Sequence, residues 1–366
     1  MQIINPQVVS GKKVLLRLDI DVALRKSSVV RRQTSDEMEV AEDFKLRAGL
    51  DTLRLCLENA SKVIIIGHLG RPFKTVEDEK KGAPKELSAK PIHSWFEQVL
   101  GQKIYFATTL EEAAEVSEKL VLLENIRFFH GEVPGLEYHT TCTSKTCDVD
   151  FAHQLASLGD VYVNEAFSSH NPAASTTIVP TLLPHAAGLH FAREVKKLTE
   201  VRDNPKKPFV AIMGGAKVKD KLPVINKLAE KADAVLVGGK LVSEIREQKL
   251  SLPKNVLVGM LNEDGFDIAS ETVSAWRSLI SKAAEIIWNG PLGKFEDPKN
   301  DATKTIAQMV LDSKAKVVIG GGDSVAALSQ YGLLEKAMKQ AFVSVGGGAM
   351  LKFLADGTLP TIEALQ

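Results

Sequence analysis

Cysteine is scarce in this chain of 366 residues, where only Cys56, Cys142 and Cys147 occur. So odd and sparse a set does not frame a disulfide scaffold of this size, and reduced thiols are expected. Cys142 and Cys147 stand near His139, yet their offset is not the short Cys-x-x-Cys spacing of a metal clip, and no second ligand pair completes a site. Excess charge is missing as well, because 46 lysines and arginines balance 46 aspartates and glutamates. No global basic field recruits nucleic acid or an anionic membrane, so any anion site is local. Long hydrophobic runs are lacking too, and nothing approaches the roughly 20 apolar residues that span a bilayer. The start, Met1-Gln2-Ile3-Ile4, has neither the basic flank nor the apolar run of a signal peptide, and a cytoplasmic placement is expected. Two common nucleotide motifs are absent. Without Gly-x-x-x-x-Gly-Lys-Ser/Thr the usual P-loop is excluded, and without a well-placed Gly-x-Gly-x-x-Gly and downstream acid a dinucleotide dehydrogenase is a distant reading.

What is present is an alternation. Short apolar runs rich in β-branched residues fall at 14–18, 63–66, 120–123, 161–163, 209–213, 234–237, 285–288, 316–319 and 341–345, separated by stretches with helical spacing such as 46–58, 219–231 and 323–330. That pattern predicts an α/β fold with parallel sheets and crossover helices. With 44% hydrophobic residues the chain can fill two cores. A helix around 185–203, stopped by Asn204-Pro205, would join two lobes. The expected division is an anion-binding lobe over 1–184, the joining helix over 185–203, a nucleotide lobe over 204–350 and a tail over 351–366.

The glycine clusters mark the second lobe. Gly214-Gly215, Gly238-Gly239, Gly320-Gly321-Gly322 and Gly346-Gly347-Gly348 each follow a strand and precede a helix, where bare amides and a helix N-terminus suit a phosphate. Any one of them reads equally well as an ordinary turn, but four in one half of the chain point to a nucleotide. Lys217 and Lys221, one helical turn apart, offer two ammonium groups to one phosphate chain; without the glycines they would read as a solvated helix face. Asp323 either caps a helix or holds magnesium, or both, and Ser324 follows it. Asn289 opens a Gly/Pro-rich turn that leads to Glu296, a carboxylate for a ribose hydroxyl or simply an exposed loop acid. In the first lobe the strand ends carry Arg17, Asp19, Asp21, His68, Arg71 and Arg127, with Lys45 opening a helix. Singly these are ordinary surface charges; together, at strand carboxyl ends, they suggest one anionic metabolite.

These residues resemble phosphoglycerate kinase. Eight blocks at 14–19, 68–72, 122–128, 160–167, 214–221, 288–296, 320–323 and 346–349 occur in that family's order. The resemblance implies two Rossmann-like lobes joined by a helix, the tail returning to the first lobe, and monomers that close by hinge bending. It implies reversible transfer of a phosphoryl group from 1,3-bisphosphoglycerate to MgADP, giving ATP and 3-phosphoglycerate. Lys217 would stabilise the transferred group, Lys45 would stand in the place of a catalytic arginine, and the amides of Gly346 and Gly347 would assist. Asp19, Asp21, His68, Arg71 and Arg127 would hold the triose. Gly215, Lys221, Gly238, Gly239, Asn289, Glu296, Gly320, Gly321, Gly322, Asp323 and Ser324 would bind ATP or ADP, with Asp323 on Mg2+. Small molecules are thus the expected partners.

Departures accompany the likeness. Lys45 lacks the planar fork of an arginine, Asp21 replaces an asparagine, and His170-Asn171-Pro172-Ala173 lacks one triose-binding arginine. Lys240 replaces a third glycine, the stretch from there to Trp288 is short, and loops 24–42 and 130–149 are enlarged. They give a second reading: a nucleotide-binding relative with weak or no transfer.

Overall fold

The computed structural model describes residues 1–26, 38–73, 78, 80–133, 147–215 and 218–366. His139, Cys142 and Lys217 lie outside them. The strands are β1 Lys13–Arg17, β2 Leu24–Lys26, β3 Met38–Val40, β4 Lys62–Ile66, β5 Tyr105–Ala107, β6 Leu120–Leu123, β7 Val161–Asn164, β8 His185–Ala187, β9 Phe209–Met213, β10 Ala234–Val237, β11 Val256–Val258, β12 Glu285–Asn289, β13 Lys316–Gly320 and β14 Phe342–Ser344. Two compact units result. One comprises 1–193 and 359–366, the other 194–358.

In the first unit the sheet order is β5-β6-β4-β1-β7-β8, every neighbouring pair parallel. Strand β1 lies between β4 and β7, with Arg17 opposite Ile66 and Asn164. Because helices cover both faces, Val14, Leu15 and Leu16 are all buried, which is why β1 reads as a continuous apolar run rather than an alternating one. The short hairpin of β2 and β3 pairs Leu24 with Val40 and occupies part of the enlarged loop 24–42.

The second unit repeats the plan with order β11-β10-β9-β12-β13-β14, again parallel throughout. Four of its turns lie at the carboxyl edge, after β9, β10, β12 and β13.

Several expectations change in detail. The helix expected over 185–203 begins only at Leu189, because 185–187 form β8 beside β7. The single helix expected over 46–58 is two, Phe44–Ala48 and Leu50–Asn59, broken at Gly49. A β-carbon at Gly49 would stand 3.0 Å from Leu18 Cδ2, so packing favours the residue that interrupts the helix. The stretch 351–366 is divided: helix Gly347–Asp356 stays with the second unit, and 359–366 joins the first. There Leu359, Ile362 and Leu365 are buried.

Candidate active site

At the carboxyl edge of the first sheet, β1, β4 and β6 run into polar turns, and a cavity of about 580 Å³ opens there. Arg17, Asp21, His68, Arg71 and Arg127 line it. Arg127 donates from Nη1 to the Gly70 carbonyl at 2.6 Å; burial and the neighbouring Arg17 lower its pKa, while Glu132 and Asp21 offset part of the effect. Asn125 ties the two turns: it donates to Leu69 O and Leu87 O, and its Oδ1 accepts from Leu69 N and Arg127 N. Asp21 Oδ1 accepts the Gly70 amide at 2.9 Å, which anchors the turn bearing His68 and Arg71. Lys45 is fixed on the Asp21 carbonyl at 3.0 Å and stands 3.6 Å from Asp19 Oδ2. Ser168 donates to the same Asp19 oxygen.

His68 is 8% exposed and its pKa falls well below the ordinary imidazole value. Burial is the main cause, and Arg17, Arg127, Lys45 and Arg71 add repulsion. The ring is therefore neutral at physiological pH. Arg71 is exposed on the cavity rim, as is Asn171.

In the second unit the glycine turns interlock. Gly215 N donates to Pro291 O at 2.8 Å and Gly214 N to Asn289 O at 2.9 Å. A β-carbon at Gly214 would lie 2.1 Å from Pro291 O, and one at Gly347 would lie 2.4 Å from Gly321 Cα, so backbone meets backbone at both places. Gly239 adjoins the same turn, with Pro291 O 3.0 Å from its β-position, and Gly238 packs on Leu292. Gly320 precedes Gly321, whose φ of +105° leads into helix Gly322–Gln330. Ser324 is buried; its hydroxyl accepts from Gly290 N at 2.8 Å and donates to Gly320 O at 2.9 Å, so it clamps two turns together.

Lys221 lies within this set. Its ammonium donates to Gly214 O and Asn289 Oδ1, and burial pulls its pKa down to about 8 although Asp323 pulls the other way. Asp323 is exposed in the first turn of its helix, and Glu296 is exposed on the loop after β12. Gly346, whose amide donates to Ser344 Oγ, and Gly347 open helix Gly347–Asp356. Among the described residues no group of three or more His, Cys, Asp or Glu side chains is gathered as a ready-made metal cage. No helix among them is long and apolar enough to cross a membrane.

Sequence reading missed Glu132, Ser168 and Ser175. Glu132 sits in a polar loop and Ser175 in a run of small residues, so neither carried a signal. Their burial and partners emerge only when the chain folds.

Two open parallel sheets, one with arginines and a neutral histidine around a cavity, the other with interlocked glycine turns about a lysine, define a class. It is that of two-unit α/β proteins that receive anions at strand carboxyl ends. Comparison then narrows it. A family model described as Phosphoglycerate kinase matches residues 4–250 and 246–357. The phosphoglycerate kinase of Desulfovibrio desulfuricans is 34% identical over 406 residues, 97% of this chain and 96% of the relative. That of Solibacter usitatus is 34% identical over 407 residues, 97% of each. Among solved structures, phosphoglycerate kinase from Coxiella burnetii aligns with a TM-score of 0.74 at 26% identity, covering 98% of this chain and 97% of that one. Phosphoglycerate kinase from Pyrococcus horikoshii shares the fold, with a TM-score of 0.80 at 23% identity over 100% and 98%. The chain belongs to the phosphoglycerate kinase family.

Proposed function

We propose that the chain transfers a phosphoryl group reversibly from 1,3-bisphosphoglycerate to MgADP, giving ATP and 3-phosphoglycerate, a glycolytic reaction. The observation that carries the reading is Lys221, a half-buried ammonium held among glycine turns with Asp323 as its charged neighbour. Such a transfer needs positioning and charge neutralisation more than covalent chemistry, because the moving group resembles metaphosphate.

In this reading the first unit binds the triose. Arg71 and Arg127 supply guanidinium donors and His68 a neutral N–H. Asp19 and Asp21 act on the protein side, fixing Lys45 and the 68–72 turn. Lys45 then stands as a point charge where an arginine would form a planar fork. The second unit binds the nucleotide: the turns of Gly215, Gly238, Gly239, Gly320, Gly321 and Gly322 border the phosphates, Asn289 steers Lys221, and Glu296 takes a ribose hydroxyl. Ser324 supports the turns. Lys217 and Lys221 balance phosphate charge, and the helix start at Gly346 and Gly347 faces the group in transit.

Asp323 would hold Mg2+. One exposed carboxylate at a phosphate-type turn suits a hard ion that keeps several waters and takes its other ligands from the nucleotide. When bound, the ion would screen the charge of the nucleotide phosphates. Cytoplasmic placement, a monomeric state and hinge bending belong to the same proposal and rest on family resemblance.

Asn171 on the cavity rim favours the second reading, a relative that binds nucleotide but transfers weakly. ATP formation from 1,3-bisphosphoglycerate and MgADP, with Lys217→Ala as paired control, separates the two. Turnover that collapses in the variant supports the kinase. A folded protein that binds ADP without turnover supports the relative.

A further inference from the structure

Glu132 has no part in the transfer chemistry above, yet it is 2% exposed on the wall of the first unit's cavity. Its Oε1 accepts the Ser175 hydroxyl at 2.7 Å and its Oε2 the Ser175 amide at 3.0 Å. Its own carbonyl accepts the amide of Ala174 at 2.9 Å. Ser175 lies in the first turn of the π-helix Ala174–Ile178, where backbone amides have no partner within the helix and are available to a carboxylate.

The contacts continue. Ser175 Oγ accepts from Arg17 Nε at 3.2 Å, Arg17 Nη1 donates to Leu18 O at 2.6 Å, and Nη2 meets His68 Nδ1 at 2.7 Å. Arg17 is 1% exposed, so its charge is as buried as that of Glu132. A guanidinium left alone at such depth is strongly disfavoured; burial pushes the Glu132 carboxyl pKa up, while Arg17, the two Ser175 bonds and Arg127 pull it back, so Glu132 and Arg17 favour each other's charged form through Ser175.

A guanidinium only donates, so His68 Nδ1 is the acceptor in its contact with Arg17. Flanked by Arg17, Arg127, Lys45 and Arg71, the ring stays neutral and carries its one proton on Nε2, which faces Asp21 Oδ2 at 3.8 Å.

We propose that Glu132 is a positioning residue: through Ser175 it holds Arg17 against His68 and so fixes His68 as an Nε2–H donor for an anionic substrate in the cavity. The second step rests on the triose reading given above; the first does not. Remove the carboxylate charge and Arg17 keeps its bonds to Leu18 O and Ser169 Oγ but loses the charge behind its Ser175 contact; its contact with Nδ1 loosens, and the imidazole is free to carry its proton on either nitrogen.

The test uses the full chain with 15N-labelled histidine, His68→Gln identifying the His68 signals. In the wild type, long-range 1H–15N spectra at pH 7 should show the Nε2–H tautomer alone. In Glu132→Gln a clear share of Nδ1–H is expected. The KM for 3-phosphoglycerate should rise about tenfold, as for loss of one charge-assisted hydrogen bond, while the KM for ATP stays put. Glu132→Asp should restore part of the tautomer purity, and Ser175→Ala, which deletes a single hydroxyl, should move both readouts in the same direction and serves should Glu132→Gln not fold. A folded Glu132→Gln or Ser175→Ala protein that keeps pure Nε2–H overturns the relay. A mixed tautomer with an unchanged KM overturns its link to substrate. A wild type without turnover defeats the triose reading, yet the spectra still decide the relay.

Discussion

Lys221 donates its ammonium to the side chain of Asn289 at 3.0 Å, and the same ammonium reaches the Gly214 carbonyl. A half-buried cation thus joins two glycine turns that are 75 residues apart in sequence, at 214 and 289.

That contact predicts a pH dependence. Burial brings the Lys221 pKa down to about 8 in the folded protein, from the ordinary lysine value of 10.5. Below pH 8 the charged form is already present; between the two values the free protein is neutral here and must take up a proton to meet a phosphate. ADP affinity should therefore weaken as pH rises above about 8, by up to about tenfold per unit for one linked proton. Titration calorimetry at pH 8.8 in buffers of different ionisation enthalpy should detect proton uptake that vanishes at pH 6.8. Lys221→Met should abolish the uptake and lower kcat/KM for ADP by about 100-fold or more.

Two glycines separate close packing from mere flexibility. Gly347→Ala drives a methyl into Gly321 Cα and should cost about 1–3 kcal/mol in a denaturant titration, with a raised KM for ADP. Gly322→Ala meets nothing within 4 Å and has no positive φ, so it should be neutral or slightly stabilising. Equal losses in both would mean that crowding is not the cause.

Asn171 tests the cavity. Asn171→Arg adds a guanidinium on a rim already lined by Arg71 and Arg127, and one charge-assisted bond of about 1.5–3 kcal/mol should lower the KM for 3-phosphoglycerate at least tenfold. An unchanged KM would show that the present cations already saturate the substrate's charge.

His68 predicts an acid limb of stability. Its folded pKa lies well below the 6.5 of the unfolded chain, so between those values the unfolded state binds the extra proton. Stability from this residue is full above about pH 6.5 and declines as pH falls, with a slope of at most about 1.4 kcal/mol per unit. His68→Gln should flatten that part of the urea-denaturation profile between pH 5 and 6.5.

The legible parts of the fold were those with their own apolar run. Strands such as β4 and β9 bury every residue and announce themselves. By contrast β2 is Leu-Arg-Lys and half exposed, and β8 is His-Ala-Ala, a strand only because β7 offers it a ladder. At Gly49 the break answers to Leu18, a neighbour in space that local spacing does not reveal. For the site, residue types at strand ends predicted which turns gather, since parallel sheets put those ends on one edge. The network of Glu132, Ser175 and Arg17 was invisible, because it depends on a loop and a π-turn meeting a strand 158 residues from Ser175.

The split of the first unit into 1–193 and 359–366 has a consequence for how the protein is made. Vectorial synthesis ordinarily lets the amino-terminal body finish before the next begins. Here the second unit is one uninterrupted segment and is complete at residue 358, whereas Leu359, Ile362 and Leu365, buried in the first unit, are made only after it. The body that leaves the ribosome first is therefore completed only after the second.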